Sequence, residues 1–341
     1  MAAPCLMVQG TASEVGKSVL VTALCRLFAR TGHRVAPFKS QNMSLNAAVT
    51  PAGGEIGRAQ AVQAEAAGLE PTVDMNPILL KPGADGRSQV VVRGVARATA
   101  GFAEYGAMAP ALLEVARESL ARLRATHDLV LIEGAGSPAE INFRDTEIVN
   151  MRVARLADAP VLLVGDIERG GVFAAFVGTL ALLDAADRGR VAGLVVNKFR
   201  GDPALLAPGL AELTARTGIP VLGVIPALDG APVPSEDSLS LDRLARRPAG
   251  AVAVRVVLVR LPRIANFDDF EPLAEEPGVE TRLPRARPTS PAQTSSCSRG
   301  ARARSRTSPG CGPRASPMRS SPTRRPVAPC SASAAATRCS G

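Results

Sequence analysis

The stretch Gly10-Thr-Ala-Ser-Glu-Val-Gly-Lys-Ser18 decides the reading of this chain. It follows the apolar run Cys5-Leu-Met-Val8 and opens a helical pattern carried by Val19, Leu20, Leu24, Leu27 and Phe28. A strand, a glycine turn closing on Gly-Lys-Ser, and a helix together make a phosphate cradle. Backbone N–H groups and the helix N-terminus face the polyphosphate, Lys17 neutralises its outer charge, and the Ser18 hydroxyl is placed for Mg²⁺. The spacing departs from the usual G-x-x-x-x-G-K-[ST], because Thr11 stands where the first glycine belongs and Gly10 lies one residue earlier. Glycines that merely turn the chain are the alternative, but a lysine in such a turn has no packing role. The expected nucleotide site is Gly10, Thr11, Ser13, Glu14, Val15, Gly16, Lys17 and Ser18, taking ATP or GTP.

The length of 341 residues is compatible with two domains, and 46% hydrophobic residues are ample for a core. No apolar run is long enough to span a bilayer, and the N-terminus lacks a basic region leading into a signal-type segment, so a soluble, cytoplasmic protein is expected. The net charge of +9 invites a nucleic-acid reading, but residues 281–341 carry twelve Arg and no Lys, Asp or Glu. Removing those twelve charges leaves residues 1–280 at −3. The body is mildly acidic, which removes most of the case for nucleic acid as a partner and leaves binding through the Arg-rich tail as a further reading.

Within 281–341, Leu283, Met318 and Val327 are the only members of the Leu/Ile/Val/Phe/Met group. Such a segment cannot bury enough apolar surface to offset chain entropy, and disorder is expected. Cys297, Cys311, Cys330 and Cys339 lack the paired spacing of a zinc site. Arg-, Pro-, Ser- and Ala-rich text with scattered Cys is also what a GC-rich gene gives out of frame. Residues 330–341 can be back-translated so that a shifted frame reads Leu-Gly-Ile-Cys-Gly-Gly-Tyr-Gln-Met-Leu-Gly, a phrase similar to the nucleophile turn of a class I glutamine amidotransferase. A frameshift shortly after Glu280 is the expectation, with a glutaminase part missing.

Between residues 1 and 235 the pattern alternates strand and helix. Strand-like runs fall at 6–8, 35–38, 90–92, 129–132, 161–164, 194–196 and 221–225, and helical ones at 17–30, 55–68, 109–124, 172–186 and 203–217. Continuous apolar strands predict a mostly parallel sheet covered on both faces, hence a doubly wound α/β P-loop domain with its ligand site at the carboxyl ends of the strands. Residues 236–250 read as a linker, and 251–280 as the start of another domain.

The strand ends hold the polar residues that matter. Leu129-Val-Leu-Ile-Glu-Gly-Ala-Gly136 ends an apolar strand in a carboxylate, and Glu133 suits a hard cation or an attacking water beside the phosphate loop, the alternative being an ordinary turn residue. Asp166 closes a further strand. Asn197 closes another, where it suits a nucleobase or caps the next helix. Lys39 ends the second strand, suited to phosphate or carboxylate, or else simply solvated. His33 and His127 read as surface residues, and Cys5 and Cys25 as core. No Ser-His-Asp set is evident, so the chemistry expected is phosphate activation.

The opening loop resembles the altered phosphate loop of dethiobiotin synthetase and of the cobyrinic and cobyric acid amidating enzymes. Phe38-Lys-Ser-Gln-Asn-Met-Ser44, Gly54-Glu-Ile-Gly-Arg-Ala-Gln60, Asp74-Met-Asn-Pro77, Glu133-Gly-Ala-Gly-Ser-Pro-Ala-Glu-Ile-Asn142, Gly165-Asp-Ile-Glu-Arg-Gly-Gly-Val-Phe173 and Asn197-Lys-Phe-Arg-Gly-Asp202 all resemble the cobyric acid synthase family. Arg260-Leu-Pro-Arg-Ile-Ala-Asn-Phe267 is similar to the start of that family's amidotransferase domain. The resemblance implies a glutamine-dependent ligase of adenosylcobalamin biosynthesis. Such an enzyme amidates the b, d, e and g carboxylates of adenosylcobyrinic acid a,c-diamide through acyl phosphates, with ATP, Mg²⁺, and ammonia from glutamine. It implies Lys17, Glu133 and Lys39 as catalytic, Ser18 and Glu133 as metal ligands, and Gln41, Asn42, Ser137, Asn142, Asp166 and Arg169 at the substrate. Rival readings are a sister amidase making the a,c-diamide and a partition-type ATPase switch. The switch needs a further lysine early in the loop, where this chain has Thr11.

Overall fold

A computed structural model describes residues 2–83, 85–143, 146–228, 252–260, 265–284 and 296–297. The expected linker at 236–250, and the stretch from 285 on apart from 296–297, lie outside the described residues.

The chain opens with β1 (Cys5–Gly10), α1 (Lys17–Arg30) and β2 (Val35–Phe38). Residues 41–100 then form β3 (Gln41–Met43), β4 (Ala47–Val49), β5 (Glu55–Gly57), α2 (Arg58–Ala66), β6 (Ile78–Pro82), β7 (Ser88–Val92) and β8 (Val95–Ala100). The alternating pattern resumes with α3 (Phe102–Thr126), β9 (Leu129–Glu133), α4 (Met151–Ala157), β10 (Val161–Asp166), α5 (Val172–Leu182), α6 (Ala185–Arg188), β11 (Val191–Phe199), α7 (Ala207–Thr217) and β12 (Val221–Pro226). From residue 252 on come β13 (Val254–Leu258), α8 (Glu271–Glu275), β14 (Val279–Arg282) and β15 (Ser296–Cys297).

The main sheet has six parallel strands in the order β12-β11-β10-β1-β9-β2. Successive side chains of a strand point to opposite faces, and here both faces are covered. Met7, Val130, Ile132, Leu163, Leu194 and Val196 join one core with Leu112, Ala116, Leu120 and Leu123 of α3 and Phe176 and Leu180 of α5. The intervening Val8, Leu131, Val164 and Val195 join the other, with Val21 and Cys25 of α1. That two-sided burial is why the strands read as unbroken apolar runs. Truncating fully buried Leu120 to Ala is expected to cost roughly 2–5 kcal/mol, readable by urea denaturation. Strand order reverses beside β1, so the crevice at the carboxyl ends of β1, β9 and β10 is where such folds bind ligands.

Residues 41–100 depart from the expected single sheet. β3, β6, β7 and β8 form a second sheet, parallel only between β3 and β6, so the 90–92 run pairs antiparallel there rather than in the main sheet. Arg93 and Gly94 are both left-handed (φ 45° and 79°), the tight hairpin turn that suits strand twist. The helix expected over 55–68 begins as a strand, β5, whose partner is β4.

Residues 265–284 touch the earlier part of the chain through polar clasps. Asn266 N–H donates to Asn46 Oδ1 at 2.8 Å while Ala47 N–H donates to Asn266 Oδ1 at 3.0 Å, and Arg58 pairs with Asp269 at 3.2 Å. Asn266→Ala is expected to cost about 1–3 kcal/mol, because it takes the side-chain acceptor away from the Ala47 N–H while the backbone donor to Asn46 stays. Faster hydrogen exchange at Ala47, with exchange in β10 unchanged, checks this.

Candidate functional site

β1 delivers Gly10 to the carboxyl edge of the sheet, where the Thr11 N–H donates to the Val164 carbonyl at 2.9 Å. Gly10 has no room for a side chain: a Cβ would lie 2.5 Å from Val15 Cγ2 and 2.9 Å from Lys17 Nζ. The loop turns through Glu14 (φ 59°) and Gly16 (φ 99°) into α1. The end of β11 grips it. Asn197 Nδ2 donates to the Val15 carbonyl at 2.8 Å, and Lys198 Nζ donates to the Glu14 carbonyl at 2.7 Å. A Cβ on Gly16 would sit 2.1 Å from Asn197 Nδ2. Gly16→Ala is therefore expected to weaken ATP binding at least about tenfold in a calorimetric titration. Gly32→Ala, equally left-handed (φ 88°) but facing open space, should cost about 1 kcal/mol of stability and leave that affinity unchanged.

Lys17 opens α1 almost wholly buried, and its Nζ donates to the carbonyls of Ala12 at 2.9 Å and Gly136 at 3.0 Å. It thus spans the phosphate loop and the loop after β9. The next residue reaches the strand end itself: Ser18 Oγ donates to Glu133 Oε1 at 2.9 Å.

Glu133 is the hub of the site. It is 1% exposed, and Lys39 Nζ donates to its Oε1 at 2.7 Å while Gln63 Nε2 donates to its Oε2 at 2.5 Å. Burial pushes the Glu133 carboxyl up; the Lys39 ammonium and the hydrogen bonds from Lys39, Gln63 and Ser18 outweigh that and hold it below the usual carboxylate range. Lys39 is accordingly a buried ion-pair member and not a solvated lysine. Among the described residues no group of three or more His, Cys, Asp or Glu could hold a metal. The oxygens of Ser18 and Glu133 nonetheless fit Mg²⁺, which takes one or two protein oxygens and fills its remaining positions with water and phosphate.

The other expected site residues divide. Asn197 lies against the phosphate loop, where its amide donor goes to the Val15 carbonyl. Asp166 accepts from Lys198 at 2.8 Å and from the Glu168 N–H at 2.8 Å, while Arg169 pairs with Glu14; both brace the loop from the β10 side. Asn42 makes its hydrogen bonds inside the protein. It is buried, its Nδ2 donates to Gln60 Oε1 at 3.1 Å and its Oδ1 accepts from Met43 N–H at 2.8 Å, so both ends of the amide are used within the protein. Gln41 Oε1 accepts from the Tyr105 hydroxyl, and Ser137 is buried with its Oγ accepting from Ala139 N–H at 3.2 Å. Asn142 is exposed on the 3-10 turn Ile141–Phe143. Thr11, Ser13 and Glu14 line the loop, with Ser13 and Glu14 exposed. Gln63 was not anticipated as a site residue. Its signal was a glutamine three residues after Gln60, on the helix face that also buries Ala59 and Ala64.

A parallel sheet with a lysine-bearing phosphate loop after its first strand, and a buried carboxylate closing the neighbouring strand, defines a P-loop nucleotide-binding protein. Residues 6–238 match the CobQ/CobB/MinD/ParA nucleotide binding domain, and the chain belongs to that family. It is 62% identical over 284 residues to the cobyric acid synthase of Sorangium cellulosum, covering 83% of this chain and 55% of that protein. The cobyric acid synthase of Dehalococcoides mccartyi (strain ATCC BAA-2266 / KCTC 15142 / 195) is 58% identical over 278 residues, covering 82% and 54%. A probable cobyric acid synthase of Methanothermobacter thermautotrophicus is 54% identical over 284 residues, covering 83% and 56%. The chain thus spans about half the length of the curated relatives it matches. Among solved structures, chloroplast FtsY from Physcomitrella patens superposes with a TM-score of 0.40 and 18% identity over 68% of this chain and 61% of that one, too loosely to bear on function. No helix among the described residues is long and apolar enough to cross a membrane.

Proposed function

We propose that this chain carries out the carboxylate-activating step of a cobyric acid synthase. In that step ATP phosphorylates peripheral carboxylates of adenosylcobyrinic acid a,c-diamide, and ammonia, released from glutamine, converts each into an amide. The observation that carries the proposal is the hydrogen-bonded set Ser18–Glu133–Lys39 beside Lys17, which joins a phosphate site to a buried lysine able to neutralise a second carboxylate. The likeness to cobyric acid synthases supports the choice of substrate.

A carboxylate is a poor acyl donor because oxide would have to leave. An attacking carboxylate oxygen takes the γ-phosphoryl group as the bond to the ADP oxygen breaks. Ammonia then adds to the acyl carbon, loses a proton, and expels phosphate. Lys17 follows the charge on the transferring group, and Lys39 holds the incoming carboxylate against phosphate repulsion. Ser18 and Glu133 would hold Mg²⁺, which supplies charge neutralisation on the phosphates.

The test is the full chain with ATP, Mg²⁺, the a,c-diamide and ammonium chloride, followed by mass spectrometry and ADP release. Corrinoid-dependent ADP with amide product is expected, rising with pH because only NH₃ attacks. ADP release indifferent to the corrinoid, with no amide formed, would overturn the proposal.

A further inference from the structure

Phe102, the first residue of α3, is 73% exposed, and its ring lies 5.6 Å from that of Phe143, itself 37% exposed, at an interplanar angle of 59°. Ile141, two residues before Phe143 on the same 3-10 turn, is 55% exposed. Two exposed rings in contact, with a further exposed apolar residue on the same turn, are the kind of surface that ligand-binding sites present. Its surroundings tie it to the site from two sides. The turn bearing Ile141 and Phe143 is the continuation of the loop that starts at Glu133 and receives Lys17 at the Gly136 carbonyl. The first turn of α3 is held to β3 through Tyr105, whose hydroxyl donates to Gln41, two residues after Lys39. Met43, on the same face of β3 as Gln41, is 57% exposed.

The patch is also built to stay in place. The Glu104 carboxylate accepts from the Gly101 N–H at 2.9 Å and pairs with Arg87 at 2.8 Å, pinning the helix end that presents Phe102. Rigid aromatic rings lose little freedom when covered. The face is small and continuous with the loops carrying Lys39 and Glu133, which suits a flat ligand that must bring a peripheral carboxylate to those residues.

We propose that Phe102, Ile141 and Phe143 form the platform on which the apolar face of a corrinoid macrocycle rests while one of its edge carboxylates reaches Lys39. This rests on the functional reading above. The exposed amide of Asn142, between the two apolar residues of the turn, is positioned to meet a polar edge group.

The test uses the full chain, the Phe102→Ser and Phe143→Ser variants, and two probes followed by their visible absorbance in equilibrium dialysis: the a,c-diamide and a corrinoid already fully amidated. Both probes should bind the wild type, and both should weaken about tenfold or more in each variant, since both present the same apolar face. ATP affinity and thermal midpoint should hold, because Phe102 lies outside the core. If the wild type binds neither probe, the functional reading falls and the platform with it. If the wild type binds them and the variants bind equally well, the platform alone is wrong. A change in oligomeric state by sedimentation with unchanged corrinoid affinity would assign the patch to a second copy and overturn the proposal.

Discussion

Lys17→Ala is expected to lower the phosphoryl-transfer rate by about 10²–10³-fold, the scale of removing one preorganised charge from a transition state. Lys17 donates to the carbonyls of Ala12 and Gly136, so its loss also leaves two acceptors short of a donor, a cost of roughly 1–3 kcal/mol. Function should therefore fall far more than stability. Single-turnover ADP formation at saturating ATP, alongside a thermal melt, separates the two. A variant that transfers phosphate at near wild-type rate would remove Lys17 from the chemistry.

Glu133→Gln has the second large effect, and it extends beyond activity. The Lys39–Glu133 pair is buried, with side-chain exposures of 7% and 1%. Replacing the carboxylate by a neutral amide takes one partner out of a buried ion pair, which costs about 3–5 kcal/mol. Gln also preserves shape but removes the anionic oxygen that suits Mg²⁺, so the metal requirement should shift as stability drops. Because the folded carboxyl is held below its unfolded value of about 4.3, its contribution is present above that pH. It is lost as pH falls through the lowered folded value. Acid denaturation of the wild type should show this slope and Glu133→Gln should lack it. Pairing Glu133→Gln with Lys39→Met should restore much of the stability without restoring activity. Recovery of activity in the double variant would mean that neither residue takes part in transfer.

The most local features were the most legible. The helix expected over 17–30 is α1 as observed, because its start is fixed by the glycine–lysine–serine turn and its core face by the spacing of Val21 and Cys25. Glu133 was readable as a strand end for the same reason: apolar residues covered on both faces stop where the sheet's edge meets the ligand crevice. Residues 41–100 were not readable in this way. β3 and β5 are three residues each, too short for a period, and β7 takes its direction from β6 and β8 rather than from its own composition. The hub at Glu133 was half legible. The carboxylate was visible, but the partnership of Gln63 depends on the phase of α2 against a strand 70 residues away. Asn197 was noticed as a polar residue at a strand end and Asn42 through the family resemblance, yet which partner each amide takes is decided by packing.

The grip of β11 on the phosphate loop limits what can be transplanted. Val15 and Asn197 are 182 residues apart in the chain, yet one hydrogen bond and one steric fit at Gly16 make them parts of a single cassette. Moving residues 10–18 alone into another scaffold would carry over the glycines and the lysine but leave behind the splint that keeps the loop open for phosphate. A chimaera that borrows this loop has to bring the Asn197-Lys198 strand end with it.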